Sequence, residues 1–250
     1  MLRIIYLVLC LINIVNSVKV TVKNEEELNN AFNKYKTSEE LEININNVNI
    51  NILNEISINN NIKTITLKGS SKDSSVLQFN NNDIGFIFNS IPEIKIYHLT
   101  ISGNLHFIKN RNIVFEDVDL KGILDIYETF DNNIYYSLNN IDKYNTYYSE
   151  NLNLNIKLNN FNYYAQTNTQ KENCINLYGN VVIDNSKFYG NSLCKDSLIK
   201  FDGEELNNIS ITNSNFNGMF FNNCLSIYNA KHSTIKLSTF EKGNASVTGG

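Results

Sequence analysis

The sequence contains no tryptophan, almost no proline and very little arginine. Pro92 is the single proline, and Arg3 and Arg111 are the only arginines. A nucleic-acid-binding surface needs a dense basic stripe, preferably rich in arginine, whereas the lysines here are scattered and the formal net charge is −4. We therefore set nucleic acid aside as a partner. The spacing of the few cysteines likewise suits no zinc site.

The N-terminus is apolar in the manner of a targeting segment. The stretch "MLRIIYLVLCLINIVNS" combines one basic residue, an apolar run from Ile4 to Val15 and a small residue, Ser17. This pattern is typical of a cleaved secretory signal peptide. A membrane anchor is the alternative, but a run of about twelve apolar residues is short of the roughly 20 that a spanning helix needs. We expect a secreted or cell-surface protein whose mature chain has no transmembrane span.

One pattern of eleven residues recurs along the chain. The stretch "NISITNSNFNG" (208–218) aligns with "NVVIDNSKFYG" (180–190) and "NIVFEDVDLKG" (112–122), with apolar residues at positions 2, 4 and 9 and glycine at position 11. Three further copies begin at 93, 155 and 232, and equivalent residues lie 19, 43, 25, 28 and 24 residues apart. A period of 20–50 residues is typical of solenoid proteins.

Within each copy, apolar residues alternate with a period of two, which indicates a strand. The alternation breaks at positions 5 and 6, so we predict a bend there and a second turn at the glycine. A further short strand follows each copy. If the copies stack about 4.8 Å apart, position 9 forms an aromatic ladder of Tyr163, Phe188, Phe216 and Phe240. Position 6 then forms an amide ladder of Asn160, Asn185 and Asn213.

These copies resemble the right-handed parallel β-helix proteins of the pectate-lyase-like type. The segment "TITLKGSSKDSSVLQFNN" (64–81) is similar to an early coil of that family, and "VKNEEELNNAFNKY" (22–35) is similar to its capping segment. The resemblance implies an all-β fold, a right-handed parallel β-helix solenoid with an N-terminal capping helix. Residues 22–35 also predict a helix directly, because Asn24 and Glu27 form a capping-box-like start.

We divide the chain into three regions. Residues 1–17 are the signal peptide, 18–60 the N-terminal cap and first coils, and 61–250 the remaining β-helix coils, which we expect to continue beyond the end of the chain. A tyrosine-rich insert at 127–150 interrupts the repeat, and such loops often carry the binding surface of a solenoid. The last stretch, "STFEKGNASVTGG" (238–250), resembles the repeats of polymorphic outer-membrane proteins.

A polysaccharide lyase of this fold would need clustered carboxylates that hold calcium, and an Arg or Lys as base. The nearest candidates are Asp117 and Asp119 beside Glu116, with Arg111 upstream and Asp125 further on. Calcium prefers six to eight oxygen ligands, and the repeats stacked on Asp119 offer no second carboxylate. A solvated polar turn is therefore the favoured interpretation. We expect no cofactor, and calcium only if the protein is a lyase.

Other catalytic patterns are weaker still. A hydrolase needs two or three aspartates that converge on one groove, whereas Asp184, Asp196 and Asp202 are expected at different points around the coil. The three histidines, His98, His106 and His232, have no Ser or Cys partner in a recognised motif. The tyrosines could stack on sugar rings, but ordinary packing is the favoured interpretation.

The cysteines leave more than one pairing open. Cys10 belongs to the signal peptide, and Cys174 and Cys224 occupy equivalent places two repeats apart, about 10 Å. That exceeds the usual limit of about 7 Å between the Cα atoms of a disulfide. Cys194 lies between them and could pair with either, with Cys174–Cys194 as the candidate; three free thiols are the alternative. Asn208 and Asn244 begin N-glycosylation sequons.

Two functions remain after these exclusions. The first is a secreted or cell-surface, non-catalytic β-helix protein that acts as an adhesin or scaffold and binds other extracellular proteins or polysaccharide. A looser similarity to the scaffoldin-like proteins of gut fungi points the same way. The second is a carbohydrate-active enzyme, a polysaccharide lyase or hydrolase of pectate-lyase-like fold. Because one fold hosts both classes, the choice depends on the site.

Overall fold

The computed structural model describes residues 16–81, 83–127 and 154–244, which form mostly β-strands in two parallel sheets. This arrangement is all-β and compatible with a β-helix-like fold. The predicted signal peptide falls outside the described residues except for its last two, of which Ser17 begins the first strand. The predicted tyrosine-rich insert also falls outside them except for Tyr127.

Within the described residues, the first sheet has fourteen strands, all of them paired in parallel. The strands are β1 (Ser17–Thr21), β2 (Glu40–Ile45), β3 (Asn49–Ile52), β5 (Thr64–Gly69), β6 (Val76–Phe79), β8 (Glu93–Ser102), β10 (Asn112–Gly122), β12 (Asn155–Ala165), β14 (Asn180–Asp184), β15 (Lys187–Tyr189), β17 (Asn208–Thr212), β18 (Asn215–Asn217), β20 (His232–Lys236) and β21 (Thr239–Glu241). Strands from β8 onward are the eleven-residue copies.

The second sheet has seven strands in the part of the chain that the structure describes, also parallel. They are β4 (Ile56–Asn59), β7 (Gly85–Asn89), β9 (Asn104–Ile108), β11 (Leu124–Tyr127), β13 (Ile175–Tyr178), β16 (Ser197–Asp202) and β19 (Asn223–Tyr228). From β9 on, these are the short strands predicted after each copy.

The pairing register confirms the sequence repeat. Equivalent positions of successive copies are direct partners: Phe115 pairs with Ile96 on one side and with Leu158 on the other. Side chains from both sheets fill one continuous core, and an edge-on contact between Phe107 and Phe115, with ring centroids 5.9 Å apart, joins the two sheets. The aromatic ladder is present for three of its four predicted members: Phe188, Phe216 and Phe240 stack at 5.0 and 4.8 Å, whereas the ring of Tyr163 is tilted by 45° to that of Phe188 at 6.4 Å.

The residue at position 7 is apolar in the first three copies and serine in the last three, and the strands differ accordingly. Where position 7 is Leu, Val or Phe, one strand runs through the bend, as in β8, β10 and β12. Where it is serine, the strand divides into two. The Ser186 hydroxyl accepts a hydrogen bond from the Phe161 N–H (3.1 Å) and donates to the Asp184 carbonyl (2.7 Å). Ser214 accepts likewise from the Ser186 N–H, so buried hydroxyls satisfy backbone groups at the bend.

Position 6 adopts the left-handed backbone conformation in every copy. The residues and their φ angles are His98 (53°), Asp117 (55°), Asn160 (48°), Asn185 (47°), Asn213 (50°) and Leu237 (51°). Asn and Asp tolerate this conformation better than other non-glycine residues do. The Asn160 amide donates to Asp117 (2.8 Å) and that of Asn213 donates to Asp184 (3.1 Å). The left-handed bend, rather than the predicted amide ladder, therefore accounts for the asparagines.

The predicted N-terminal helix is present as α1, Glu25–Lys34. The Asn24 side chain accepts from the Glu27 N–H at 2.9 Å, and the Glu27 carboxylate accepts from the Lys23 N–H at 2.8 Å. The helix buries one apolar face against the core, where Phe32 contacts Phe86 edge-on. With ten residues, α1 is far below the length that a bilayer requires, and no other helix in the described ranges is long and apolar enough to cross one.

We expect the Ser186→Ala substitution to lower the free energy of unfolding by about 1–3 kcal/mol, because the buried Phe161 N–H loses its acceptor. Urea denaturation at equilibrium measures the change. Ser210→Ala, on the outward side of β17, is the control and should change stability by less than about 0.5 kcal/mol. Equal effects of the two substitutions would contradict this role of the position 7 hydroxyls.

We also expect Asn185→Val to lower the free energy of unfolding by about 1–2 kcal/mol, because a β-branched residue disfavours the left-handed conformation. Asn185 suits this test because its side chain is exposed. Asn185→Gly is the matched control and should retain stability, since glycine adopts positive φ freely. If valine and glycine proved equivalent in urea denaturation, backbone conformation would not be what selects asparagine there.

Candidate functional site

The two candidate carboxylates, Asp117 and Asp119, lie at the bend of β10. Asp117 occupies the left-handed position 6, and Asp119 occupies outward position 8. Both side chains are partly exposed. The local sequence produces this placement because the period-two alternation resumes one residue out of phase after the bend. Asp117 and Asp119 therefore project from neighbouring points of the same outer surface.

Several polar groups already engage these carboxylates. Lys72, from the loop between β5 and β6, places its ammonium 3.6 Å from Asp117 Oδ1 and 3.3 Å from Asp119 Oδ1. His98 Nδ1 lies 3.1 Å from Asp117 Oδ2. The Asn162 amide donates to Asp119 at 2.7 Å. We call Lys72, His98, Asp117, Asp119 and Asn162 the bend cluster.

The bend cluster does not fit a calcium ion as it stands. An ammonium group lies between the two carboxylates that would have to hold the ion, and calcium requires six to eight oxygen ligands. Within the described ranges, no group of three or more His, Cys, Asp or Glu side chains is placed to hold a metal ion. The bend cluster therefore lacks the ligand set that a calcium-dependent lyase would use.

The third lyase candidate, Arg111, is not part of the bend cluster. It immediately precedes β10 and lies six residues before Asp117. Six residues of extended chain span about 20 Å, so the Arg111 backbone is far from the two carboxylates. Its backbone carbonyl accepts from the Asn155 N–H, and its side chain is exposed. The basic residue that does reach the carboxylates is Lys72. The repeat pattern could not identify Lys72, because it lies in a loop between two strands.

The outward positions 8 and 10 continue the bend cluster along the first sheet. We call this surface the outer strip; from β10 to β21 it consists of Asp119, Lys121, Asn162, Tyr164, Lys187, Tyr189, Asn215, Thr239 and Glu241. Asn217 occupies position 10 as well, but it is only 5 % exposed and donates to Glu241 rather than facing solvent. Its side chains contact one another across copies. The rings of Tyr164 and Tyr189 stack in parallel at 4.9 Å. Burial, and next the Asp119 carboxylate, raise the pKa of Tyr164 above its usual range.

A second polar cluster lies on the second sheet and is buried. His106 in β9 and Asp125 in β11 are register partners, and Lys171, shortly before β13, forms an ion pair with Asp125 Oδ1. His106 Nδ1 lies 3.6 Å from Asp125 Oδ2. His106 is 3 % exposed, Asp125 6 % and Lys171 7 %. We call these three residues the buried triad.

Burial dominates the electrostatics of the buried triad. It lowers the pKa of His106 from 6.5 to about 4, because the charged imidazolium is penalised away from water. The Asp125 carboxylate opposes this shift, and the Lys171 ammonium adds to it. His106 is therefore neutral at physiological pH. From the sequence, Asp125 and His106 were named separately, although their equivalent positions in successive repeats were a signal that they are neighbours. Lys171 was missed, because no repeat position marks it.

The three aspartates considered for a hydrolase do not converge. Asp184 ends β14 and accepts from the Asn213 amide, which lies one copy further on. Asp196 accepts from Asn223 at 3.2 Å, and Asp202 accepts from Asn229 at 3.2 Å. Each aspartate thus binds a neighbouring copy at a different point around the repeat, as the sequence predicts.

The remaining candidates have defined places. Cys174 and Cys194 form a disulfide with Cα atoms 5.3 Å apart, and Cys224 is a buried free thiol. Asn208 begins β17 and is exposed, and Asn244 is exposed after β21. A cavity of about 630 Å³ opens at the last described copy, lined by Leu225, Ile235 and Phe240 among others.

Comparison of the chain with models of known protein families, with curated proteins and with solved structures found no match.

We expect acidification to destabilise the protein through His106. Its pKa is about 4 in the folded protein and about 6.5 when unfolded, so the unfolded chain binds the extra proton as the pH falls through this window. The free energy of unfolding should drop by roughly 1–3 kcal/mol between pH 6.5 and pH 4. His106→Gln should reduce this drop, as urea denaturation at several pH values would measure. His232→Gln, at an exposed position, is the control and should leave the pH dependence unchanged.

Proposed function

We propose that the protein is a right-handed parallel β-helix solenoid that is secreted or displayed at the cell surface and acts, without catalysis, as an adhesin or scaffold. The solenoid interpretation rests on the in-register pairing of equivalent positions in both sheets. The secreted location rests on the apolar N-terminal sequence, and the disulfide between Cys174 and Cys194 suits an oxidising compartment. The similarity to pectate-lyase-like and polymorphic outer-membrane-protein-like repeats supports the same class.

The outer strip is the observation that carries a binding function. Its side chains are held by contacts between successive copies: Asn162 to Asp119 at 2.7 Å, and Asn217 to Glu241 at 2.9 Å. Side chains that are already ordered lose little conformational entropy when a ligand binds. The strip also continues across successive copies at the spacing of the strands, so an extended ligand meets polar groups at regular intervals. Such a surface suits a polymer better than a small molecule.

Polysaccharide is the partner that the chemistry of the outer strip favours, with extracellular protein as the other candidate. Amide, hydroxyl, carboxylate and ammonium groups provide donors and acceptors for sugar hydroxyls. The Tyr164–Tyr189 pair adds an apolar surface with polar hydroxyl tips, which can pack against a sugar ring. Lys121 and Lys187 add positive charge to the strip, which favours polysaccharides that carry acidic groups.

We expect the protein to bind an acidic plant polysaccharide, and Tyr189→Ala to weaken this binding by about 10-fold, equivalent to about 1.4 kcal/mol. Isothermal calorimetry or affinity electrophoresis measures the change. Tyr228→Ala, which removes an exposed tyrosine from the second sheet, is the control and should leave binding unchanged. Equal loss in both variants, or no binding to any polysaccharide in a broad panel, would contradict the assignment of the outer strip.

The bend cluster supports a second candidate, a lyase or hydrolase. His98 and Asp117 form a contact of 3.1 Å that resembles a base and the group that orients it. The same polysaccharide panel decides between the two functions when it is incubated with and without calcium. Release of unsaturated or reducing sugars, lost in Asp117→Asn, would replace the non-catalytic proposal with the enzymatic one.

A further inference from the structure

We propose that Lys171 and Asp125 become joined by an intramolecular isopeptide bond, an amide between the lysine Nζ and the aspartate Cγ. This modification goes beyond the proposed function and does not depend on it. The lysine Nζ is in contact with Asp125 Oδ1, one bond away from the carbon that it would attack. The separation of the two residues in sequence is 46 positions, so the contact is created by the fold.

Strand pairing fixes the backbone of all three triad residues. His106 and Asp125 are partners in adjacent parallel strands. Lys171 forms a β-bridge with Cys194, which the disulfide ties to Cys174. Its N–H donates to the Leu193 carbonyl at 2.8 Å. A nucleophile and an electrophile held this way react as one molecule, with effective concentrations far above any in solution.

Burial changes the reactivity of the pair. In water, a lysine ammonium and a carboxylate do not condense, because the amine is protonated and the carboxylate is a poor electrophile. Both side chains are about 7 % exposed, and burial of separate charges is costly. Transfer of one proton from Nζ to the carboxylate gives a neutral amine and a neutral carboxylic acid, which are the reactive forms.

The reaction balances without any other reagent. The Nζ–Cγ bond forms and the Cγ–Oδ2 bond breaks. Oδ2 leaves as water with two of the three protons of the original ammonium, and the third proton stays on the amide nitrogen. His106 Nδ1 lies 3.6 Å from Oδ2 and can carry the proton from the attacking nitrogen to the leaving oxygen. Since His106 is neutral, its ring can accept that proton and returns to its starting state.

The described contacts of Asp125 are consistent with Oδ2 as the leaving oxygen. Oδ1 is engaged by Lys171, whereas Oδ2 is buried and has no hydrogen-bond partner within the described ranges. A buried acceptor without a donor is unfavourable. Loss of Oδ2 as water removes this unfavourable group, and the amide that remains replaces a buried ion pair with a neutral bond.

The deciding experiment is mass spectrometry of the full chain after denaturation and reduction. We expect an intact mass lower than that of the mature sequence by one water molecule. In a digest with a lysine-specific protease, cleavage after Lys171 should be absent, and a branched peptide should connect Lys171 with Asp125. A full mass together with separate linear peptides for the two residues would refute the bond.

Variants separate the reaction from an ordinary ion pair. Lys171→Arg retains the positive charge but cannot form the amide, so it should regain the mass of water. Lys200→Arg, on a later strand of the same sheet, is the matched control and should keep the loss. His106→Gln, with folding checked by circular dichroism, should slow formation at least about 100-fold. Formation at the wild-type rate in this variant would overturn the role of His106.

Discussion

Parallel pairing in register between equivalent positions is the constraint on which the rest of the structure depends. Each inward residue packs against the residues at the same position in the preceding and following copies. The residues that occupy one position must therefore pack well against one another. The stacked rings of Phe188, Phe216 and Phe240, 4.8–5.0 Å apart, meet this condition because their separation matches the spacing between strands. Aromatic stacking and backbone pairing therefore reinforce each other, and one register satisfies both.

The bend is where this constraint is hardest to satisfy, since strand pairing is interrupted there. Position 6 solves the steric part of the problem with residues that accept a left-handed backbone. Position 7 solves the hydrogen-bonding part in two ways. An apolar residue keeps the strand continuous, whereas serine divides it and supplies its own hydroxyl to the freed N–H. Position 7 is apolar up to Phe161 and serine from Ser186 onward, so either solution is compatible with the same stack.

The buried positions could be predicted from the sequence, because residues that stack on one another in the core are of the same apolar kind in successive copies. The alternation around Ile211 and the capping-box pattern at Asn24 were sufficient to place a strand and a helix. Outward contacts could not be predicted in this way. Lys72 and Lys171 contact carboxylates of other repeats from loops that have no counterpart in neighbouring copies. They do not occupy a position of the sequence repeat, so the repeat could not identify them. Solvent tolerates any polar residue outside the core, and the sequence there carries little information about partners.

The two sheets consequently differ in what their outer faces can do. On the first sheet, outward Asp119 remains partly exposed and the charges beside it are screened by water. On the second sheet, His106 and Asp125 occupy outward positions of their strands yet are nearly inaccessible. Charged groups at such places are tolerated when they are paired, as Asp125 and Lys171 are. The proposed reversible recognition therefore uses the partly exposed outer strip of the first sheet, whereas the proposed bond formation uses the buried triad of the second sheet, from which water is largely excluded.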